Sequence, residues 1–201
     1  MSEFLRINLN ELIENVGEDR TKNILSSFVN PHNKDVEDFL HSKAILFSKM
    51  GRAKTHLVFW RENKELELVG YFAIASKYFM VTKEAVSKTV MKKLRQHGEW
   101  DEHQNKCVIP APLIGQLGKN YLEGNDCLIS GDELLKMAVE KVKEVQNEIG
   151  GRYVYLECED VKYLRNFYES NGFVEFGKRP LDRDETNIKG SYLLQYLKYI
   201  H

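Results

Sequence analysis

The chain has 201 residues, 42% of them hydrophobic, with 29 Lys and Arg set against 30 Asp and Glu. That length and apolar content are enough for one domain with its own core. The formal charge of −1 argues against a chain-wide nucleic-acid surface while leaving room for a local patch. Three widely spaced cysteines, Cys107, Cys127 and Cys158, read as reduced thiols and not as a disulfide framework. No apolar run approaches the roughly 20 residues that span a bilayer. Asn8, Glu11, Glu14 and Asn15 interrupt any signal-like apolar stretch near the start. The expectation is a cytoplasmic protein with no membrane segment.

Residues 4–8 read as a short strand and 10–28 as short helices. Asp35 is the expected cap of a helix reaching Met50. Val36, Phe39, Leu40, Ala44, Phe47 and Met50 recur at helical spacing along it, and Gly51 stops it. Two β-rich runs, 55–60 and 66–75, flank the charged turn Arg61 to Glu65 and predict a hairpin. A basic helix is expected over 82–96, carrying Lys83, Lys88, Lys92, Lys93 and Arg95. A very polar loop follows over 97–106. Pro110 and Pro112 lack donors on the same side, so regular strand is expected to begin only near Leu113.

A loop over 120–129 leads to a helix at 131–148, with Leu134, Leu135, Ala138, Val142, Val145 and Ile149 on one face and Gly150-Gly151 at its end. A strand at 152–158, a helix at 161–171 and strands near 173–177 and 190–200 complete the chain. Strand, helix, strand, helix, strand, strand predicts an α/β fold. Its mixed central sheet should contain at least one parallel crossover and carry helices on both faces.

The chemistry is expected where the 113–119 strand runs into the 131–148 helix, because a helix N-terminus offers backbone N–H groups and a favourable dipole to a phosphate. Ser130-Gly131-Asp132-Glu133 fits a capping box. Such a box satisfies two donors without any ligand, and Asp132 and Glu133 would repel a pyrophosphate.

The segment Phe167-Tyr168-Glu169-Ser170-Asn171-Gly172-Phe173, after the strand Arg152 to Cys158, resembles the closing element of the GCN5-related N-acetyltransferase (GNAT) family. Leu113 to Asn120 looks like the family's central strand, whose backbone pairs with the pantetheine arm of acetyl-coenzyme A (acetyl-CoA). Gly131 to Leu135 looks like the start of the helix after the pyrophosphate loop. The family's Gln/Arg-x-x-Gly-x-Gly/Ala loop is matched here by Asp126-Cys127-Leu128-Ile129-Ser130-Gly131, in which only the last glycine fits. The resemblance covers about residues 55–75 and 107–200.

The resemblance implies a single GNAT-like acyl-CoA N-acyltransferase domain over 1–201, with 82–106 as a helical insertion. The implied activity is transfer of the acetyl group of acetyl-CoA to a primary amine by direct attack, with no metal. Gln116, Leu117, Gly118, Ile129, Ser130 and Gly131 would hold the cofactor. Tyr168 would protonate the departing thiolate, although its spacing after Leu164 also suits a core aromatic. Glu157, at the end of its strand, is the candidate base. Asp160 is read as the cap of the next helix. The acceptor is a small-molecule amine or a peptide or protein amine, and tRNA and a homodimer are further partner expectations. The alternatives are a toxin-like enzyme acting on aminoacyl-tRNA, supported by the basic helix, and a GNAT-shaped binding protein without turnover, supported by the degenerate loop. His97, His103 and Cys107 have no spacing typical of zinc. Cys158 reads as a small core residue.

Overall fold

The computed structural model describes residues 2–63, 65–182 and 190–200. Lys64, in the expected hairpin turn, lies outside the described residues. The chain divides into two compact units, Met1–Ala75 with Gly115–Val139, and Ser76–Ile114 with Glu140–His201.

The first unit starts with strand β1 (Ser2–Asn8) and helices α1 (Leu9–Val16) and α2 (Glu18–Leu25). Helix α3 (Lys34–Asp38) passes through a π-helical turn, Phe39–Lys43, into α4 (Ala44–Lys49). The cap of this helix is Asn33 and not the expected Asp35: the Asn33 side chain accepts from Val36 N at 3.2 Å. Asp35 instead accepts from the Gln116 amide.

The hairpin forms as expected. β2 (Lys54–Glu62) pairs antiparallel with β1 and with β3 (Glu65–Val81). The register passes from Val58↔Gly70 to Phe59↔Leu68, which leaves Val69 as a bulged residue in β3. Strand order in this unit is β1-β2-β3-β5, where β5 is Lys106–Lys119.

Helices α1 to α4 and the segments joining them bury Leu9, Leu12, Leu25, Phe28, Val36, Phe39 and Leu40 against Leu57, Phe59, Tyr71 and Ala73 of the sheet. Gly70, next to Tyr71, faces the other way. A Cβ there would lie 3.2 Å from Leu134 of helix α6 (Gly131–Ile149), so this unit carries helices on both sheet faces.

Gly118 is packed closely against α3: a Cβ would stand 2.4 Å from Val36 Cγ1. Val36 is buried and its branched side chain has little freedom to yield. Gly118→Ala is therefore expected to destabilise the chain by about 1–3 kcal/mol, read as a lowered urea midpoint at unchanged slope.

In the second unit α5 (Lys88–Leu94) is shorter than the expected 82–96 and is capped by Ser87. The expected loop at 97–106 contains strand β4 (Glu99–Asp101), which forms an antiparallel hairpin with β5 through Glu99↔Val108 and Asp101↔Lys106. β5 runs through both prolines instead of starting near Leu113. They fall after the β4 ladder ends at Val108 and before the ladder to β6 (Tyr153–Cys158) begins at Leu113↔Tyr155, so neither ladder needs their missing donors.

The pairing of β5 with β6 is parallel. Helix α7 (Lys162–Ser170) and strands β7 (Val174–Pro180) and β8 (Tyr192–Tyr199) follow. β8 inserts antiparallel between β6 and β7, giving the order β5-β6-β8-β7. The architecture is a mixed α/β sheet.

Ile149 is 77% exposed, not on the buried stripe of α6. Gln146 takes the last inward position and donates to the Tyr153 carbonyl at 2.7 Å. Asp160 does not cap α7; Val161 occupies that position. The Asp160 carboxylate is drawn away by Arg165 and by the Tyr192 hydroxyl, which donates to it at 2.6 Å.

Candidate active site

Two groups of candidate residues can be built from the sequence upward, one in each unit. In the first unit, alternation along β5 puts Gln116 and Gly118 on the face covered by α3. Gln116 Nε2 donates to Asp35 Oδ2 at 3.1 Å. Leu117, on the opposite face, is half-buried. Lys119 Nζ donates to the Asp126 carbonyl at 2.8 Å, tying the strand end to the loop that follows. That loop contains the 3-10 segment Leu122–Cys127, with Glu123 and Gly124 in the left-handed region at φ 50° and 84°.

Ile129 turns its side chain into the core, while Ser130 stays exposed. The capping box at the start of α6 is present: Ser130 N donates to Glu133 Oε2 at 2.8 Å, and Glu133 N donates to Ser130 Oγ at 3.1 Å. The backbone and hydroxyl of Ser130 hold the Glu133 carboxyl below its ordinary value. A helix start with a fixed carboxylate in its first turn is less attractive to an anion than a bare one. Gly131 is the first helical residue of α6.

In the second unit Tyr168 lies on the buried face of α7, at 8% exposure. Its ring packs against Phe167, Phe173 and Tyr196 at centroid distances of 5.0, 6.0 and 6.0 Å. Burial pushes its phenol well above the ordinary tyrosine value, so at neutral pH it carries its proton. Cys158 lies among the same group, and burial raises its thiol to about 12; it is a packed, unreactive thiol.

Glu157 is placed differently. Arg179 grips its carboxylate through Nε at 2.9 Å and Nη2 at 2.8 Å, and Gln195 Nε2 donates to it at 2.9 Å. Glu157 pairs with Gln195 across β6 and β8, whereas Tyr168 packs on Tyr196, the partner of Leu156. Adjacent strand residues face opposite ways, so the structure does not bring Tyr168 and Glu157 together on one face of β6.

Sequence reasoning missed the partners Arg179 and Gln195. It also missed two buried asparagines, Asn120 and Asn30, that organise the loops beside β5. Asn30 Oδ1 accepts from His32 N and Asn33 N, and its Nδ2 donates to the Lys119 carbonyl at 3.3 Å. The signal available for them was weak, because an asparagine before a loop reads as a turn former.

Cys107 is buried in the core of the second unit, and His97 packs against Tyr153 and Tyr199. Among the described residues no group of three or more His, Cys, Asp or Glu could hold a metal ion. Among them no helix is long and apolar enough to cross a membrane.

No protein-family model matches this sequence. No curated protein matches it either. Solved structures do. A tyrosine-to-phenylalanine mutant of KacT has a TM-score of 0.63 at 15% identity, over 97% of this chain and 95% of that one. AtaT complexed with acetyl-methionyl-tRNAfMet has a TM-score of 0.59 at 17% identity, over 96% and 94%. AtaTR bound with AcCoA has a TM-score of 0.56 at 16% identity, over 98% and 93%. At these identities the likeness establishes the fold, and that fold is the mixed α/β arrangement expected of a GNAT-like chain.

Proposed function

We propose that this chain is a GNAT-like N-acetyltransferase that moves the acetyl group of acetyl-CoA to a primary amine, with the α-amino group of an aminoacyl-tRNA as the favoured acceptor. The observation that carries the reading is the likeness, over nearly the whole chain, to AtaT held with acetyl-methionyl-tRNAfMet. An N-acetylated aminoacyl-tRNA is what acetyl transfer to an aminoacyl amine yields. The AcCoA bound in AtaTR supports the same donor here.

In this reading residues 1–201 act as one catalytic domain with 82–106 as an insertion, working in the cytoplasm where both substrates occur. Backbone donors of β5 around Gln116, Leu117 and Gly118 polarise the thioester, and the Ile129-Ser130-Gly131 turn receives the pyrophosphate. The neutral amine attacks the thioester carbonyl carbon; the C–N bond forms and the C–S bond breaks. Tyr168 gives its proton to the thiolate and recovers one from solvent. Glu157 faces away from Tyr168 across β6, with its carboxylate fixed by Arg179 and Gln195, so its proposed part is to receive the amine proton only through water at the end of the strand. A small-molecule amine, a peptide or protein amine, and a homodimeric state belong to the same proposal at lower resolution.

Acetyl-CoA is expected to raise the melting temperature by about 5–10 °C at a hundredfold excess over Kd. Incubation with charged tRNA should add an acetyl group, detected by mass spectrometry with release of free thiol. No thermal shift at millimolar acetyl-CoA in a folded sample would sink the reading. A second reading, a binding protein without turnover, is favoured by the loop Asp126 to Gly131, in which only the last glycine fits the family pattern. Thermal stabilisation with no thiol release selects it.

A further inference from the structure

The loop that joins β5 to α6 carries backbone conformations that do not hold themselves. Glu123, a side-chain-bearing residue, sits at φ 50° beside Gly124 at φ 84°. A left-handed non-glycine residue persists when its surroundings over-determine it. Here the surroundings converge on one amide.

Asn120 is fully buried at the end of β5. Its Nδ2 donates to the Leu68 carbonyl at 2.7 Å and to the Ser27 carbonyl at 3.1 Å. Its Oδ1 accepts from Val29 N at 2.9 Å and from Leu122 N at 3.1 Å. An asparagine side chain has two donors and two acceptor lone pairs, and all four are used. Its own backbone N–H donates to the Val69 carbonyl at 2.9 Å.

The bulge in β3 makes this arrangement available. Successive carbonyls of a regular strand point to opposite edges, yet those of Leu68 and Val69 both meet Asn120, because the register skips Val69. Asn125 Nδ2 reaches the same Leu68 carbonyl from further along the loop, at 3.5 Å. The β3 bulge, the segment after α2 and the first residue of the 3-10 segment are thus joined through one side chain.

We propose that Asn120 is a positioning residue for coenzyme A: it sets the path of the 122–130 loop, and with it the backbone that meets the pyrophosphate, without touching the ligand. This rests on the acetyltransferase reading above. It predicts a loss confined to cofactor affinity.

The test compares Asn120→Ala with wild type in the full chain, at a temperature where circular dichroism shows both folded. Titration calorimetry with coenzyme A should show Kd raised by about tenfold or more, the scale of effect expected when binding must first order a loop that is no longer held in its competent path. At saturating acetyl-CoA kcat should stay within about threefold, so that the loss appears in KM. Adding Glu123→Gly should restore part of the affinity, because glycine enters the left-handed region without strain.

Unchanged Kd in the folded variant, or a fall in kcat with affinity intact, overturns the role. If Asn120→Ala does not fold, Asn125→Ala removes the loop's other tie to Leu68. A Kd raised by about threefold or more then supports the role, a smaller loss of preorganisation than Asn120 would cause, and an unchanged Kd overturns it. A wild type that fails to bind coenzyme A overturns the acetyltransferase reading itself. A wild type that binds, with variants that bind equally well, overturns only the role of Asn120.

Discussion

Tyr168→Phe is expected to lower turnover by about 10²–10⁴-fold, the usual span for removal of a general acid, while leaving acetyl-CoA affinity nearly unchanged. The substitution keeps the ring that packs on Phe167, Phe173 and Tyr196 and removes only the hydroxyl. Stability should therefore change little, which separates a chemical effect from a packing one. Burial holds the phenol above its ordinary value, so the proton donor is present throughout the neutral range. Wild-type kcat should show no alkaline decline from this group below about pH 10, the ordinary tyrosine value. The readout is thiol release under saturating acetyl-CoA and acceptor. Turnover within a few-fold of wild type would make Tyr168 a core aromatic and remove it from the mechanism. Glu157→Gln is the companion measurement. If Glu157 takes the amine proton, turnover falls by about 10²–10⁴-fold with acetyl-CoA affinity spared, and if it only anchors Arg179, turnover stays within a few-fold of wild type.

The elements legible in the sequence were those whose burial is decided locally. The β2–β3 hairpin, the stripe of α6 through Leu134, Leu135, Ala138 and Val142, and the two-sided burial of β6 follow from periodicity alone. Features set by distant partners were not legible. The run through Pro110 and Pro112 depends on where the β4 and β6 ladders stop. The insertion of β8 between β6 and β7 determines that Arg179 and Gln195 meet Glu157, so a carboxylate that looks free in the sequence is already engaged. Asp35 and Asp160 both have the chemistry of a helix cap, but each is claimed by a non-local donor, Gln116 in one case and Tyr192 in the other. The capping box at Ser130 was readable because all its partners lie within four residues. Asn120 was not, because its partners are Ser27, Val29 and Leu68, and the bulge that aligns two carbonyls on it leaves no local mark.

The second large effect concerns the acceptor. Helix α5 buries Met91 and Leu94 and turns Lys88, Lys92 and Lys93 outward, all exposed. Beside them Lys83 Nζ and Arg95 Cζ stand 4.6 and 4.8 Å from the centre of the Trp100 ring, so two further cations are held against an aromatic face. A patch of this kind suits a phosphate backbone even though the chain as a whole is near neutral. If an aminoacyl-tRNA is the acceptor, wild-type association should weaken steeply as salt rises, because each neutralised phosphate releases counterions. Reversing Lys88, Lys92 and Lys93 to Glu should lower the slope of log K against log salt by about 2–3 units. It should also raise KM for charged tRNA while sparing acetyl-CoA binding, since none of the three belongs to the cofactor elements. The fold should survive, because all three side chains face solvent. Filter binding across a salt series, with calorimetry for acetyl-CoA as the control, measures both arms. A slope unchanged by the reversal would place tRNA elsewhere on the molecule. Wild-type association that is undetectable or insensitive to salt would remove tRNA as the acceptor and leave a small amine or a peptide N-terminus in its place.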